Sequence, residues 1–350
     1  METRKIQTVG SGTYTVSLPK EWAESRGVTA GDAVTLHEHV DGVLAIQEGE
    51  GGDDTAPITA RIESSSPETI ERTLRAAYAA GSREVVLDPD GPLTAEQRRA
   101  IDRVARGRIG MSVAVESETS MTVRILLDAE EVSVGQSLRQ LSFVVRSIHR
   151  DAVDALADPA GSGDPAAFDS RGEQADRLSA MIERSAVRGA ADLAEIDALG
   201  STRSELFESW TAMRELRRVH EAATEVGAAA GRLDAPPTEA RMEACREIGD
   251  AAREVVSEGV AALLGDGGVD AARSALDGRD RTRRRIEAFD RRLPKGDADA
   301  SELRLVSREL RRTAERGGDI AGIALRRAIR RGETIADRES ERGSAEPPGR

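Results

Sequence analysis

Four carboxylates at helical spacing are the residues best suited to chemistry in this chain. Glu221 and Glu225, and Glu315 and Asp319, each stand four positions apart, which on a helix stacks them on one face. Like charges so placed repel by about 0.2–0.5 kcal/mol, so each pair invites either a hard metal ion or a guanidinium. Acid content alone would scatter about 11 such spacings through a chain of this composition, so spacing by itself carries little. What sets these pairs apart is a repeated string, Arg-Glu-Leu-Arg-Arg, at 214–218 and again at 308–312. The acids follow each copy at matched places, as do an aliphatic residue (Val226, Ile320) and an alanine (Ala230, Ala324).

The elements that must position these acids are long helices. Periodicity and Gly/Pro punctuation predict helices over 134–157, 166–198 and 202–232, then over 239–264, 269–293 and 298–331, with Pro236-Pro237 between the two sets. Arg146, Asp151, Val153 and Leu156 also recur as Arg253, Glu258, Val260 and Leu263, so 132–235 and 238–331 form two similar three-helix units. Leu303, Val306, Leu310, Gly317, Ala321 and Ala328 make one stripe, which leaves Glu315 and Asp319 on the outer face. Two acids there supply only part of a hard-cation shell, and the second helix is the candidate donor through Asp169, Glu173 and Asp176. The second copy carries Arg281 and Arg284 where Glu173 and Asp176 stand in the first, and arginine there repels a cation. The alternative is a solvated face on which Arg217 and Arg218 pair with Glu221, and Arg311 and Arg312 with Glu315, each pair worth tenths of a kcal/mol. Iron, zinc, magnesium and manganese are not distinguished by such ligands. His220, rotated from Glu221 along the helix, reads as a surface histidine.

Residues 303–324, with Glu315-Arg316-Gly317-Gly318-Asp319-Ile320-Ala321 at their centre, resemble the third helix of a PhoU repeat, and the likeness spans about 132–331. It implies an E(D)-x-x-x-D metal motif holding divalent or ferric ions, negative control of phosphate uptake, and partners such as the phosphate transporter's ATPase subunit or a phosphate sensor. The first copy keeps its acids but lacks the Gly-Asp. The second has two glycines mid-helix, at about 1 kcal/mol each against alanine.

Residues 1–48 read as short strands and tight turns, with a hairpin signal at Asp41-Gly42. Leu18-Pro19-Lys20-Glu21-Trp22-Ala23, Gly27-Val28 and Gly31-Asp32 resemble an AbrB/SpoVT (MazE-like) swapped-hairpin module. A unit this small cannot bury enough surface alone, so a homodimer is expected. The resemblance implies DNA binding through Arg4, Lys5, Lys20 and Arg26. These four are outnumbered by seven acids in the segment, so the electrostatic pull on DNA is small, and a dimerisation clip without DNA contact is the alternative. His37 and His39 share a strand face and read as solvated.

The 350 residues carry a net charge of −13, and only Lys5, Lys20 and Lys295 among the 50 basic residues are lysine. This skew, with few aromatics, reads as a protein kept soluble in a salty cytoplasm. One cysteine, Cys245, excludes an intramolecular disulfide. No apolar run approaches the roughly 20 residues a membrane helix needs, so no membrane insertion is expected. A glycine-rich linker at 49–56 leads to alternating strands and helices over 57–128, a small α/β domain read as a spacer or regulatory unit. Residues 332–350 read as a disordered tail.

The expected fold is therefore multidomain: a swapped-hairpin β module, a small α/β domain, and an all-α tandem pair of three-helix bundles. The expected function is a non-enzymatic regulator of phosphate uptake and phosphate-responsive transcription. A metal-storage protein or metal-dependent enzyme on a helical carboxylate scaffold is the alternative, although neither acid-bearing helix has the Glu-x-x-His spacing of a di-iron site. A third reading is a structural adaptor.

Overall fold

The computed structural model describes residues 3–10, 12–48, 58–60, 66–87, 91–117, 120–159, 165–265, 267–294 and 299–333. The expected linker and the tail from 334 onward lie outside the described residues. The chain divides into two compact units, residues 1–56 and 57–350.

In the first unit β1 (Gln7–Val9) pairs antiparallel with β2 (Thr13–Thr15), and β3 (Val34–Glu38) with β4 (Leu44–Glu48). Helix α1 (Lys20–Ser25) lies between the hairpins in sequence. Gly42 turns the second hairpin at φ 81°, a conformation that costs glycine nothing. The two hairpins form two separate two-stranded sheets. Of the fourteen large apolar side chains exposed among the described residues, eight are here: Ile6, Val9, Tyr14, Val16, Leu36, Val40, Val43 and Leu44. Isolated hairpins are marginal in water, and this unit does not bury these apolar side chains within itself.

The second unit opens with an α/β layer. Strands β5 (Ile58–Ala60), β6 (Glu84–Leu87), β7 (Met111–Glu116) and β8 (Met121–Ile125) lie in the order β5-β6-β8-β7, with only β5 and β6 parallel. Helices α2 (Pro67–Ala79) and α3 (Ala95–Arg106) start at Ser66 and Thr94, whose hydroxyls accept from Thr69 N and Gln97 N, satisfying orphan donors of the first turn. Ile70, Leu74, Tyr78, Ile101, Met121 and Val123 fill the core of this layer. The layer is no detached spacer. Arg184 and Arg188, from the helix over Pro165–Ala191, donate to the carbonyls of Tyr78 (2.9 Å) and Gly81 (2.9 Å), and the guanidinium of Arg184 lies 5.2 Å from the centroid of the Tyr78 ring. Burial lowers the pKa of Arg184 to about 10, which still leaves it charged at neutral pH.

The remaining chain is helical: α4 (Val134–Asp154), α5 (Pro165–Ala191), α6 (Leu193–Ala198), α7 (Arg203–Ala230), α8 (Glu239–Leu263), α9 (Gly268–Arg292) and α10 (Ala300–Arg330). Helix α4 packs on α5, α7 and α8, and α10 packs on α7, α8 and α9. One continuous apolar core joins them. The predicted stripe is buried throughout, from Leu303 to Ala328. One expected helix differs: 166–198 breaks at Asp192, whose carboxylate accepts from Ala194 N (2.9 Å) and starts α6 as a separate helix.

Gly317 resolves its own apparent cost. A methyl there would meet Val256 N at 2.7 Å and Val255 C at 2.8 Å, and one on Gly259 would meet Gly317 O at 2.6 Å. The backbones of α8 and α10 approach closely at two facing glycines, which larger residues would separate.

Candidate nucleic-acid module and the acidic repeat

The four basic residues of the first unit are exposed: Arg4 and Lys5 just before β1, Lys20 at the first position of α1, and Arg26 at its C-cap. Lys20 reaches Glu24 one turn on, at 3.5 Å, an exposed pair of small worth. Asp32 accepts from the backbone and hydroxyl of Thr29, and these bonds lower its pKa. They close the turn leading to β3, the structural part of the Gly31-Asp32 signal. His39 departs from expectation. It is 3 % exposed rather than solvated, lies just beyond β3, and has its ring 3.7 Å from Asp41. Its backbone bonds with Gly42 and Val43 draw it into the turn.

On α5, Asp169, Glu173 and Asp176 are exposed, as are Glu221 and Glu225 on α7; Glu315 is half-buried and Asp319 exposed on α10. These seven acids do not assemble into a metal centre within one chain. Among the described residues no group of three or more His, Cys, Asp or Glu side chains converges as a cation site. Instead arginines meet three of the acids, by routes other than the local pairing expected. Glu221 faces Arg312 across the helix interface (3.8 Å), Glu315 faces Arg283 of α9 (3.9 Å), and Asp319 accepts from Arg316 (2.9 Å). Arg311 reaches Asp290 (3.8 Å) rather than Glu315. His220 is half-buried, and burial lowers its pKa against the opposing pull of Asp176 and Glu221.

The more telling carboxylates lie inside the repeated string itself. Glu215 and Glu309, the second residue of each Arg-Glu-Leu-Arg-Arg, are 8 % and 2 % exposed. Each accepts from the arginine three positions on, Arg218 at 2.7 Å and Arg312 at 3.3 Å. A buried carboxylate without such a partner costs several kcal/mol. Arg316 crosses from the second copy to Glu215 (3.4 Å). Further along, Glu205 and buried Glu208 take Arg327, Arg330 and Arg331, while Arg232 pairs with Glu302 (2.9 Å). Partner numbers rise on α10 as they fall on α7, so the two repeated helices are antiparallel and laced by ion pairs along their length. The repetition of a glutamate beside a core leucine was the available signal for these residues.

One further buried group escaped sequence reasoning. His149 is fully buried on α4, with Nδ1 3.1 Å from a guanidinium nitrogen of Arg253 on α8. Burial, helped by Arg253, drives its pKa down to about 3. Burial pushes the Cys245 thiol up to about 12, which makes it a packing residue and not a nucleophile.

No described helix is long and apolar enough to cross a membrane. No curated protein and no solved structure matches the chain. Residues 7–50 match the family model for the antidote-toxin recognition domain MazE, a bacterial antitoxin, and this stretch is therefore a MazE/AbrB-like domain, of a kind that typically dimerises and binds DNA.

Proposed function

We propose that this protein is a homodimeric, DNA-binding regulator that restrains phosphate uptake and phosphate-responsive transcription without catalysing a reaction. The observation that carries the DNA-binding part is the first unit: a MazE-like match over two separate hairpins whose apolar side chains are exposed in one chain. Interdigitation with a second copy covers those side chains. It also brings two sets of Arg4, Lys5, Lys20 and Arg26 into one particle, so that two sets of contacts can meet DNA together. The phosphate assignment rests on the PhoU-like repeat. In this reading 132–235 and 238–331 are a tandem pair of three-helix bundles, and their faces dock a phosphate transporter's ATPase subunit or a phosphate sensor. Metal is not needed for the proposal, because arginines already answer several of the repeat's acids.

A deletion strain grown with ample phosphate is expected to show raised phosphate uptake and raised transporter transcripts. If control runs through DNA, R4E/K5E reproduces the deletion. If it runs through a protein partner, changes on the helical faces do so instead. Normal uptake with normal transcripts in the deletion strain removes the phosphate reading. The matched family's description favours a second reading, an antidote to a toxin, which predicts that loss of this protein is lethal only while a separate toxin gene is present.

A further inference from the structure

The break between α5 and α6 opens a groove in the first copy of the repeat. It has a volume of about 340 Å³ and is lined by Val187 of α5, Ile196 of α6, and Arg203, Leu206, Phe207 and Trp210 of α7 among others. Phe207 is 63 % exposed and Val187 40 %, although the whole chain holds only four phenylalanines and two tryptophans. Phe207 and Trp210 stand against each other with ring centroids 6.0 Å apart. The helix register places Ala300, Ser301 and Arg304 where the first copy has Leu206, Phe207 and Trp210. Arg304 donates to Leu293 O, and among the described residues no helix corresponding to α6 stands between α9 and α10. The groove is thus built at one end of the first copy, from residues that the second copy replaces. Gly189 belongs to its construction, since a methyl there would meet Leu206 at 2.6 Å.

Its charge is the reverse of the chain's. On a protein of net charge −13 the one charged lining residue is Arg203, and Arg214, one turn beyond, holds its guanidinium 5.0 Å from the centroid of the Trp210 ring. Neither arginine has a carboxylate partner among the described residues. An apolar groove with two aromatic side chains, one arginine in its lining and a second beside its tryptophan suits one mode of recognition, an amphipathic helix laid apolar face down with acids at its edges. We infer that the groove between α5, α6 and α7 docks an acidic amphipathic helix of a protein partner. This inference does not rest on the phosphate reading and stands or falls separately from it.

The probe is a synthetic helix of about 18 residues with leucines at i, i+3, i+4 and i+7 and glutamates elsewhere, beside a twin carrying lysines in place of the glutamates. Labelled peptides are titrated onto the unmodified full chain by fluorescence anisotropy at about 0.1 M salt. The glutamate peptide is expected to bind at least about ten-fold more tightly than the lysine peptide, and R203E/R214E should reverse that order. Phe207→Ser, the second copy's residue, should weaken the glutamate peptide by about ten-fold. In W22F, where Trp210 is the sole tryptophan, its emission should shift to the blue on binding; should that variant misfold, loss of anisotropy in W210S locates the site equally. Equal affinity for the two peptides, or no binding of the glutamate peptide, overturns the inference. So does quenching by sodium decanoate alone, which would make the groove a small-amphiphile site, or a Trp210 signal that depends on protein concentration without peptide, which would make a second copy its occupant.

Discussion

His149 shows how a single buried side chain sets the response of this fold to acid. Its folded-state pKa, driven to about 3 by burial and Arg253, lies below the unfolded value of about 6.5. Between those values the unfolded chain binds the extra proton. Stability is therefore full above about pH 6.5 and falls as pH drops, by up to about 1.4 kcal/mol per unit. His149→Asn keeps an acceptor for Arg253 but cannot titrate. Thermal melts from pH 7 to 5 should show a clearly smaller loss of Tm in this variant than in the parent, and parallel losses would contradict the assignment. Glu205 adds a second step at lower pH. Burial would raise its pKa, yet the Thr202 backbone N–H and Arg327 outweigh it and lower it, so its contribution disappears as pH falls below the ordinary carboxylate range. None of this was readable beforehand. His149 was visible only as a histidine on a helix, and whether it faced solvent depended on α8, which lies about a hundred residues away in sequence.

At the scale of elements, the glycines at the α8–α10 crossing make a sharper prediction. Intrinsic propensity says that Gly317→Ala should gain about 1 kcal/mol. The facing backbone of α8, 2.7 Å from the added methyl, says that it should lose about 1–3 kcal/mol through forced separation of the helices. Urea denaturation decides the sign, and a stabilised variant would mean that the helices do not approach so closely. Most elements were legible because their signals are local. Thr94 and Thr202 begin capping boxes with Gln97 and Glu205, the apolar stripe of α10 fixes its buried face, and Asp41-Gly42 turns its hairpin. The break at Asp192 was not legible, because the apolar period runs through it and only an Asp cap and the packing of Gly189 on Leu206 interrupt the helix. The groove was lost with it. Of the candidate site, the exposure of Arg4, Lys5, Lys20 and Arg26 and of most of the repeat's acids could be read from phase. Their partners could not, because the ion pairs cross between copies, as Arg312 does to Glu221 and Arg316 to Glu215.

At the scale of the whole molecule, the surface of the first unit calls for a second copy. Eight exposed apolar side chains on two small hairpins, in a unit with one buried side chain among its described residues, are a surface a soluble monomer rarely leaves open. Removing residues 1–48 and measuring mass by light scattering should yield a monomeric helical remainder; an unchanged dimer would place the interface elsewhere. The same charge count shapes DNA binding. With four cations per chain against seven acids in this segment, few phosphates are neutralised, so affinity should fall only shallowly with salt, and a steep slope in a promoter titration would mean another surface does the binding. The proposal that this protein regulates by occupying promoters through its first unit is tested by chromatin immunoprecipitation of the tagged protein and its R4E/K5E variant from phosphate-replete cells. Enrichment is expected at phosphate-transport promoters, lost in the variant at normal abundance; enrichment retained by the variant, or none above an untagged strain, overturns this reading.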